Sequence, residues 1–570
     1  MKALIRKAAH VLDDPTLRRW LVRRAVGLEK SPPAFIAGQP PYLGSTLSEG
    51  AISDPAPGDI QAGKFAPPDG PVRIELPGRT VELVPENPSA LFDQTYDDLE
   101  TSLAAHRFAW VPIACDTVDP DWVAALWRAW MDRFGTGDSG WPWHAYTAAE
   151  RAINIIDFSR RFGWPGEPDD TAALLVRHAQ IIRENLEYFG DHYTSNHLSN
   201  NGRGLLRIGT VLGMTGCAET GAQIMVAEAG RIFGRSGMLR EGSTHYHLLL
   251  TRNYIDAWLD AKSSGLEQAG MLRDVAERAL AVIPGLCLPG GLPLIGDISP
   301  DVSPAYLAGL TGKLGGGDRQ TWPANLPVDR QRDVQNLIAA NSAVSPDKLA
   351  EDGWHRFGDH GWQALAFVSP DGWPPMPGHG HQDLGSFELH DGTIPVFVDP
   401  GRGTYADAGY ESADMHNCLT IGGVGPVPVN RAYYSPDFRK RIVAAKPVVR
   451  RTRDGTILRD AGFKHLPGIG GVERELEFAA GVVRITDRVS GRGRRNIRHQ
   501  FCTPHPVATD GDTAVIDAGA TSYRLSSIAG FTLKEIMCWS AYGDGAPGML
   551  IVSEHRGSLP YEAATTIERI

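Results

Sequence analysis

Side chains that could move protons or bind a metal are concentrated in one segment of the chain, residues 378–405, which reads GHGHQDLGSFELHDGTIPVFVDPGRGTY. His379 and His381 stand at alternate positions, so an extended backbone would point both imidazoles the same way. Asp399 ends a predicted hydrophobic strand, and His416 stands at the entrance of a later one. Two imidazoles and a carboxylate suit zinc with an open position, although such groups also commonly hydrogen-bond one another. The spacing alone leaves both interpretations open.

A stripe of amides and guanidinium groups is predicted in the segment 194–209, TSNHLSNNGRGLLRIG. On a helix the stripe runs through residues spaced three or four apart, which are Asn196, Asn200, Arg203 and Arg207. By default such a stripe is the solvated face of the helix. Because it contains amide and guanidinium donors and no acid, it would also suit a ligand that bears a carboxylate.

A tyrosine between two histidines defines the third segment, 239–256, LREGSTHYHLLLTRNYID. Tyr246 lies near a predicted helix start, where Ser243 is a candidate N-cap. The default role of such a tyrosine is packing, with its polar tip at the edge of an apolar face. Flanked by His245 and His247, the phenol could instead have its pKa lowered enough to exchange protons.

The elements that would position these three segments change character along the chain. From about residue 95 to residue 315, apolar residues recur at three- and four-residue steps, which predicts amphipathic helices in short-looped pairs. After about residue 350, short apolar or alternating runs between glycine and aspartate turns predict antiparallel sheets packed as a sandwich. The predicted divisions are a Pro/Gly-rich lead-in at 1–94, a helical domain at 95–330, a linker at 331–350 and a β-sandwich at 351–570.

Length and composition restrict the class of protein. A chain of 570 residues exceeds the size of one hydrophobic core, and its net charge of -11 argues against a nucleic-acid binder. Its apolar runs fall short of a membrane span, and its six cysteines are scattered without a C-x-x-C pair. The N-terminal segment 1–28 is basic and amphipathic but lacks the continuous apolar core of a secretory signal, which predicts a cytoplasmic or peripheral location.

Taken together, the three segments resemble the heparinase II/III-like polysaccharide lyases, over roughly residues 120 to 510. The similarity lies in five motifs that occur in order, WHAYTAAERAINII, NHLSNNGRGLLRIG, REGSTHYHLLL, LPLIGDISPD and GHGHQDLGSFEL…VFVDPGRGTY…MHNCLTIGG. The resemblance implies an N-terminal (α/α) toroid, a C-terminal antiparallel β-sandwich and an active site in the cleft between them. It also implies β-elimination in a uronate-containing polysaccharide, and a periplasmic or extracellular location.

The resemblance further implies roles for individual residues. Tyr246 matches the family's catalytic tyrosine, and His379 matches its catalytic histidine. Asn196, or its neighbour His197, matches the group that neutralises the uronate carboxylate. The polar side chains expected to assist in substrate binding are His192, Asn200, Arg203, Arg240, His245 and Arg402. The residues that match ligands of a structural zinc ion, which some members have and others lack, are His381, Asp399 and His416.

The expected reaction is cleavage of an acidic polysaccharide by a carbon–oxygen lyase, which leaves 4,5-unsaturated uronate ends. Tyr246 would act as both base and acid if the proton and the leaving group lie on one face of the sugar; otherwise His379 or His245 would remove the proton and Tyr246 would protonate O4. Two alternatives are a uronate C5-epimerase on the same scaffold and a non-catalytic factor that binds or assembles exopolysaccharide. The sequence leaves open which polysaccharide is bound, whether action is endo or exo, and the oligomeric state.

Overall fold

A computed structural model describes most of the chain. The described residues are 21–23, 25–28, 37–44, 60–114, 117–312, 321–372, 379–429, 446–460 and 462–570. Most of the basic N-terminal segment 1–28, with its predicted amphipathic helix, lies outside them. Within the described residues the chain changes from helices to strands near residue 350, as the periodicity predicts.

Helices fill the first part of the described chain. They are α1 (Ala90–Asp93), α2 (Leu99–Arg107), α3 (Trp110–Ala114), α4 (Pro120–Phe134), α5 (Ala145–Phe162), α6 (Pro168–Glu184), α7 (His197–Val211), α8 (Thr215–Ile232), α9 (Thr244–Ser263), α10 (Ala269–Leu286), α11 (Pro304–Leu307), α12 (Val328–Ala340) and α13 (Pro346–Ala350). Helices that are neighbours in sequence pack together, α7 against α8 and α9 against α10, while α5 contacts both α6 and α7. The predicted (α/α) toroid is confirmed. Across the described ranges, no helix has the length and apolar character that a membrane crossing requires.

Strands form the second part, together with one hairpin that precedes the helices. They are β1 (Val72–Leu76), β2 (Arg79–Leu83), β3 (Trp354–Phe357), β4 (Trp362–Phe367), β5 (Glu388–Asp391), β6 (Ile394–Phe397), β7 (Leu419–Ile421), β8 (Val448–Arg451), β9 (Gly455–Arg459), β10 (Ile469–Ala479), β11 (Val482–Gly491), β12 (Arg494–Thr503), β13 (Val507–Asp510), β14 (Thr513–Asp517), β15 (Ser522–Ser527), β16 (Thr532–Ala541), β17 (Asp544–Ser558) and β18 (Tyr561–Arg569). An eight-stranded sheet has the order β13-β14-β15-β18-β11-β10-β9-β8, and two four-stranded sheets have the orders β16-β17-β12-β7 and β3-β4-β5-β6. Neighbouring strands pair antiparallel, so the predicted antiparallel β-sandwich is confirmed.

One charged residue on an inward-facing position ties the large sheet to the loops that carry the site. Along β10, burial alternates as expected of a strand with one face in the core, and Arg474 occupies an inward position. Its guanidinium forms a bidentate ion pair with Asp487 on the neighbouring β11, at 2.7 and 2.9 Å. It also donates to the backbone carbonyls of Gly385 and Asn417 (2.8 and 2.6 Å). The segment after His379 and the segment after His416 are therefore anchored to the sandwich.

Two of the predicted divisions contain regular structure. The Pro/Gly-rich lead-in, 1–94, in which one or two short strands are expected, includes the hairpin β1–β2, whose inward side chains are buried against the helices. The predicted linker, 331–350, is largely occupied by α12 and α13. In α12, the buried residues are few, so its apolar period is too sparse to stand out in a polar sequence.

Three loops meet closely where the toroid contacts the sandwich, and glycines make this contact possible. Gly296 has φ = +84°, which is a conformation that favours glycine. A Cβ at this position would lie 2.5 Å from the carbonyl oxygen of Gly242 and 2.9 Å from that of His379. The next residue, Asp297, donates its backbone N–H to the same His379 carbonyl (3.0 Å). A larger residue at 296 would therefore separate the start of α9 from the His379 loop.

Candidate active site

The side-chain rings of Tyr246 and His379 stack at the junction of the two domains. Tyr246 lies in the first turn of α9, which begins after Ser243 because the Ser243 hydroxyl accepts the Tyr246 N–H (3.1 Å) and caps the helix, as predicted. His379 lies in the irregular segment between β4 and β5, and its ring centroid is 3.6 Å from that of Tyr246, with 9° between the planes. Asn196 completes the group, since its Nδ2 lies 3.5 Å from His379 Nε2. The fold thus brings together three side chains from separate segments.

The hydrogen bond to Asp297 determines which nitrogen of His379 is free to accept a proton. His379 Nδ1 lies 3.0 Å from Asp297 Oδ2. Burial alone would raise the pKa of Asp297, but hydrogen bonds from His379 and His381 and the charge of Arg402 hold it well below its usual range. Because an ionised carboxylate can only accept, the hydrogen bond assigns the proton to Nδ1 and leaves the lone pair on Nε2. Nε2 is the nitrogen beside Asn196, and the His379 side chain is 17% exposed.

The phenol of Tyr246 is protonated at neutral pH and is paired with a second phenol. Its hydroxyl lies 2.8 Å from that of Tyr405, which belongs to the turn after β6. Burial raises the pKa of Tyr246 well above its ordinary value of 10.0. The backbone N–H of Tyr405 donates in turn to the Tyr542 hydroxyl (2.9 Å). Sequence reasoning missed Tyr405, although it ends the quoted DPGRGTY motif.

The prediction that neighbouring imidazoles lower the pKa of Tyr246 is wrong, because burial raises that pKa and a nitrogen of each flanking histidine accepts a backbone N–H. His245 is fully buried and its Nδ1 accepts the backbone N–H of Ser299 (2.9 Å). His247 Nδ1 accepts the backbone N–H of Leu239 (3.2 Å). Burial lowers the pKa of His245 to about 3 and that of His247 to about 4. The roles of His245 as a substrate-binding group or as a base are therefore corrected.

A buried carboxylate holds Asn196 at two points. Glu241 Oε1 accepts the backbone N–H of Asn196 (2.9 Å), and Oε2 accepts its side-chain Nδ2 (2.6 Å). Glu241 is fully buried, and its Oε2 is 3.6 Å from His379 Nε2. Asn196 immediately precedes α7, so this carboxylate lies at the positive end of that helix. Glu241 lies within the REGSTHYH motif, but its contact with Asn196, 45 residues away, could not be predicted from the sequence.

His197 extends the site towards solvent as a half-exposed imidazole. Its Nδ1 lies 2.7 Å from Glu187 Oε1, and its ring contacts Tyr146 at a centroid distance of 4.5 Å. Burial alone would lower the pKa of His197, but the charge of Glu187 and the hydrogen bond to it raise the pKa above its ordinary value. His144 Nε2 is 3.6 Å from the same Glu187 oxygen. This part of the site therefore presents a protonated imidazole beside Asn196, with its charge balanced by Glu187.

The rest of the predicted polar stripe on α7 is buried and is not available to a substrate. Arg203 is 1% exposed and pairs with Glu150 (3.0 Å) and Asp256 (2.9 Å). Arg207 pairs with acids of α5 and α9, and Asn200 is 2% exposed. The stripe lies inside the toroid because α7 packs against four helices, α5, α6, α8 and α9. The substrate-binding roles predicted for Asn200 and Arg203 are corrected on this ground.

The remaining predicted binding residues lie at different places around the site. Arg402 contacts Asp297 (3.2 Å) and Glu411 (3.1 Å), so two acids balance its charge. Arg240 lines a cleft of about 620 Å³ and donates to a backbone carbonyl in α8 (3.2 Å). His192 lies half-buried in the turn before α7, with its ring against that of its neighbour in sequence.

The predicted metal ligands converge in the sandwich directly behind the His379 loop. One nitrogen or oxygen from each of His381, Asp399 and His416 lies within 4.8 Å of the others. His381 Nε2 is 2.8 Å from Asp297 Oδ1, which leaves the Nδ1 lone pair buried and without a hydrogen-bond partner among the described residues. His416 Nε2 is 3.1 Å from the carbonyl of Tyr410, and its Nδ1 donates to Asp399 Oδ2 at 2.9 Å, a position where a bound cation would replace the proton and take up the Nδ1 lone pair. Two lone pairs and a carboxylate that face a common point fit a cation.

The expectation that His379 and His381 share the face of a strand needs one correction. The segment from 379 to 387 is irregular, and the first strand after it is β5. The two imidazoles nevertheless converge, because each binds a different oxygen of Asp297. Asp297 lies in the quoted LPLIGDISPD motif, but its position between the two rings depends on the approach of the Gly296 loop.

Comparison with known proteins identifies a family model for the C-terminal part of the chain. Residues 344–546 match the model described as heparinase II/III-like, C-terminal. No curated protein matches the chain.

Solved structures with the same architecture cover most of the chain. A crystal structure of heparinase III has a TM-score of 0.57 and 14% identity, over 84% of this chain and 78% of that one. A heparinase III gene product has a TM-score of 0.53 and 15% identity, over 98% and 92%. A mutant of the heparan sulfate lyase HepC from Pedobacter heparinus has a TM-score of 0.52 and 14% identity, over 98% and 91%. At these identities the likeness establishes the toroid-plus-sandwich fold.

Proposed function

We propose, from the premise that this chain belongs to the heparinase II/III-like family through residues 344–546, that the protein is a lyase of uronate-containing polysaccharides. The observation that carries the proposal is the convergence of an amide, a phenol and an imidazole. Asn196, Tyr246 and His379 come from three distant segments and meet within the span of one sugar ring. A binding protein would not need a stacked acid–base pair, whereas β-elimination needs both proton transfers.

The reaction requires a carboxylate whose charge is offset, a base for the C5 proton and an acid for O4. His379 Nε2, the nitrogen that does not face Asp297, removes the C5 proton, and the electrons of that bond pass to the carboxylate to give an enolate. These electrons then form the C4–C5 double bond as the C4–O4 bond breaks, and the protonated phenol of Tyr246 delivers its proton to O4. Donors at the uronate carboxylate, from Asn196 and the charged His197, stabilise the enolate-like transition state. The products are a 4,5-unsaturated uronate and a new hydroxyl group.

We assign a structural zinc ion to His381, Asp399 and His416 as part of the same proposal. When bound, the ion would cross-link the His379 loop, the turn after β6 and the segment before β7. The proton transfers belong to side chains on the other side of Asp297, which binds both His379 and His381. A bound cation would therefore hold the loop that carries His379.

The deciding experiment is a panel of uronate polysaccharides incubated with the purified protein in heavy water. A lyase produces ultraviolet absorbance from the unsaturated product while the chains shorten. A C5-epimerase instead places solvent deuterium at C5 and leaves the chain length unchanged. If polymers bind but neither absorbance nor deuterium appears across the panel, the catalytic proposal is wrong and a non-catalytic binding function replaces it.

A further inference from the structure

The carboxylate of Glu241 is buried beside the proposed catalytic group and takes no part in the proton transfers. Both of its oxygens accept N–H groups of one residue, Asn196, at 2.9 and 2.6 Å. We infer that Glu241 is a positioning residue, which turns the Asn196 amide so that its N–H donors face the uronate carboxylate. This inference rests on the proposed lyase function, because it assigns the cause of the amide's orientation in that reaction.

The direction of the amide follows from the chemistry of the two groups. An ionised carboxylate has no proton to donate, so the Asn196 side chain must present its nitrogen, and not its oxygen, to Glu241. One Nδ2 proton is used in this bond, and the second points away from Glu241 on the same nitrogen, which lies 3.5 Å from His379 Nε2. The donor that remains therefore lies next to the proposed base, where the C5 atom and its carboxylate must be bound.

The burial of Glu241 indicates that maintaining this orientation of the Asn196 amide costs folding free energy. Removing a carboxylate from water is unfavourable unless hydrogen bonds and opposite charge compensate it. Within the described ranges, the ion-pair partner found for Glu241 within 4.0 Å is His379, at 3.6 Å, and no lysine or arginine is found there. The compensation comes from the two Asn196 N–H groups and from the positive end of α7. An uncharged side chain could fill the space more cheaply, but it would not determine the direction of the amide.

Glu241→Gln tests the inference with almost no change in shape. A glutamine amide that presents its nitrogen allows the Asn196 amide to turn its oxygen towards position 241, and the donor near His379 is then lost. We expect kcat on a uronate polymer to fall about 10- to 100-fold, which is the ordinary value of a hydrogen bond to a charged group. Glu150→Gln is the matched control, since Glu150 is also a buried carboxylate of the helical domain but contacts Arg203 away from the site.

A double-mutant cycle separates positioning from a general structural effect. In an Asn196→Ala background, the change Glu241→Gln should cause little further loss of kcat, because the amide that Glu241 orients is absent. Losses that multiply in full would overturn the inference. A second substrate sharpens the test: on a polymer whose uronates are methyl-esterified, the charge is already removed, so the effect of Glu241→Gln should shrink. An equal loss on the acid and ester polymers would count against an action through carboxylate recognition.

The outcomes distinguish this inference from the proposed function. If the wild-type protein forms no unsaturated product from any uronate polymer, both the proposed lyase function and the positioning role of Glu241 are wrong. If it forms product and the losses from Asn196→Ala and Glu241→Gln multiply in full, only the positioning role of Glu241 is wrong. Should Glu241→Gln fail to fold, Glu241→Asp keeps both acceptor oxygens on a side chain one methylene shorter. The same cycle and the same pair of substrates then apply, with the loss expected to depend on the presence of Asn196.

Discussion

Removing a single oxygen atom from Tyr246 gives the sharpest test of the proposed acid. Tyr246→Phe keeps the ring, and with it the stack on His379 at 3.6 Å, while it deletes the hydroxyl that lies 2.8 Å from Tyr405. The proposed mechanism then has no group placed to protonate O4. We expect elimination, followed as ultraviolet absorbance, to fall by a factor of about 10² to 10⁴, the usual contribution of one proton-transfer group.

The cost to stability should be small by comparison. The mutation removes one hydrogen bond between neutral groups and leaves the half-buried hydroxyl of Tyr405 with one partner fewer, which together cost about 1 to 3 kcal/mol. A domain of ordinary stability, about 5 to 15 kcal/mol, remains folded after such a loss. The variant should therefore unfold at a slightly lower denaturant concentration while its secondary structure is unchanged.

A second tyrosine on the same helix provides a matched control. Tyr254 is fully buried in α9, and its hydroxyl donates to the carbonyl of Met225 (2.9 Å). Tyr254→Phe removes the same atom and a comparable hydrogen bond two turns from the site, so it should cost similar stability and leave elimination almost unchanged. Near-wild-type elimination by Tyr246→Phe would remove Tyr246 from the mechanism. Equal losses of activity in both variants would mean that the effect is structural.

Three further predictions concern the metal, the sandwich and alkaline pH. Purified protein should contain about one equivalent of zinc by elemental analysis, and chelation or His416→Ala should lower the midpoint of thermal unfolding. A midpoint that does not respond to chelator would contradict the assignment of a structural ion. Asp487→Asn leaves the guanidinium of Arg474 buried without its ion pair, so the free energy of unfolding should fall by about 3 to 5 kcal/mol in a urea titration. A loss below about 1 kcal/mol would contradict the stabilising role of this ion pair. Burial raises the pKa of Tyr96 to about 12, so above pH 10 the folded state binds the phenol proton more tightly than the unfolded state does. The free energy of unfolding should therefore decline from pH 10 to pH 12. Unfolding measured across this pH range should show a smaller decline in Tyr96→Phe than in the wild-type protein.

The architecture could be predicted because it is encoded in local periodicity. The three- and four-residue steps around α7 and α9 and the alternation in β10 identify helix and strand without any tertiary information. The start of α9 at Ser243 was equally accessible, since a cap is a contact between residues three apart. In the Pro/Gly-rich lead-in the pattern allows one or two short strands, and the hairpin β1–β2 provides them with ten strand residues.

The site could be predicted less completely, because periodicity identifies a helix but not the neighbours that cover it. Arg203 sits on a polar stripe that resembles a binding face, yet its partners, Glu150 and Asp256, come from other helices, each 53 residues away. The stripe is therefore the charged interior of the toroid. Asn196 belongs to the same stripe and differs because it lies at the helix end, where α7 meets the sandwich.

The proposed acid and base depend on partners that no local pattern relates to them. Tyr246 and Tyr405 are 159 residues apart, and His379 and Asp297 are 82 residues apart. In each pair one member comes from the toroid and its following loop, and the other from the sandwich. The toroid supplies the phenol, the amide and the carboxylate that fixes the tautomer, whereas the sandwich supplies the imidazole and the second phenol. The proposed chemistry therefore depends on the contact between the domains, and the close approach at Gly296 is part of that contact.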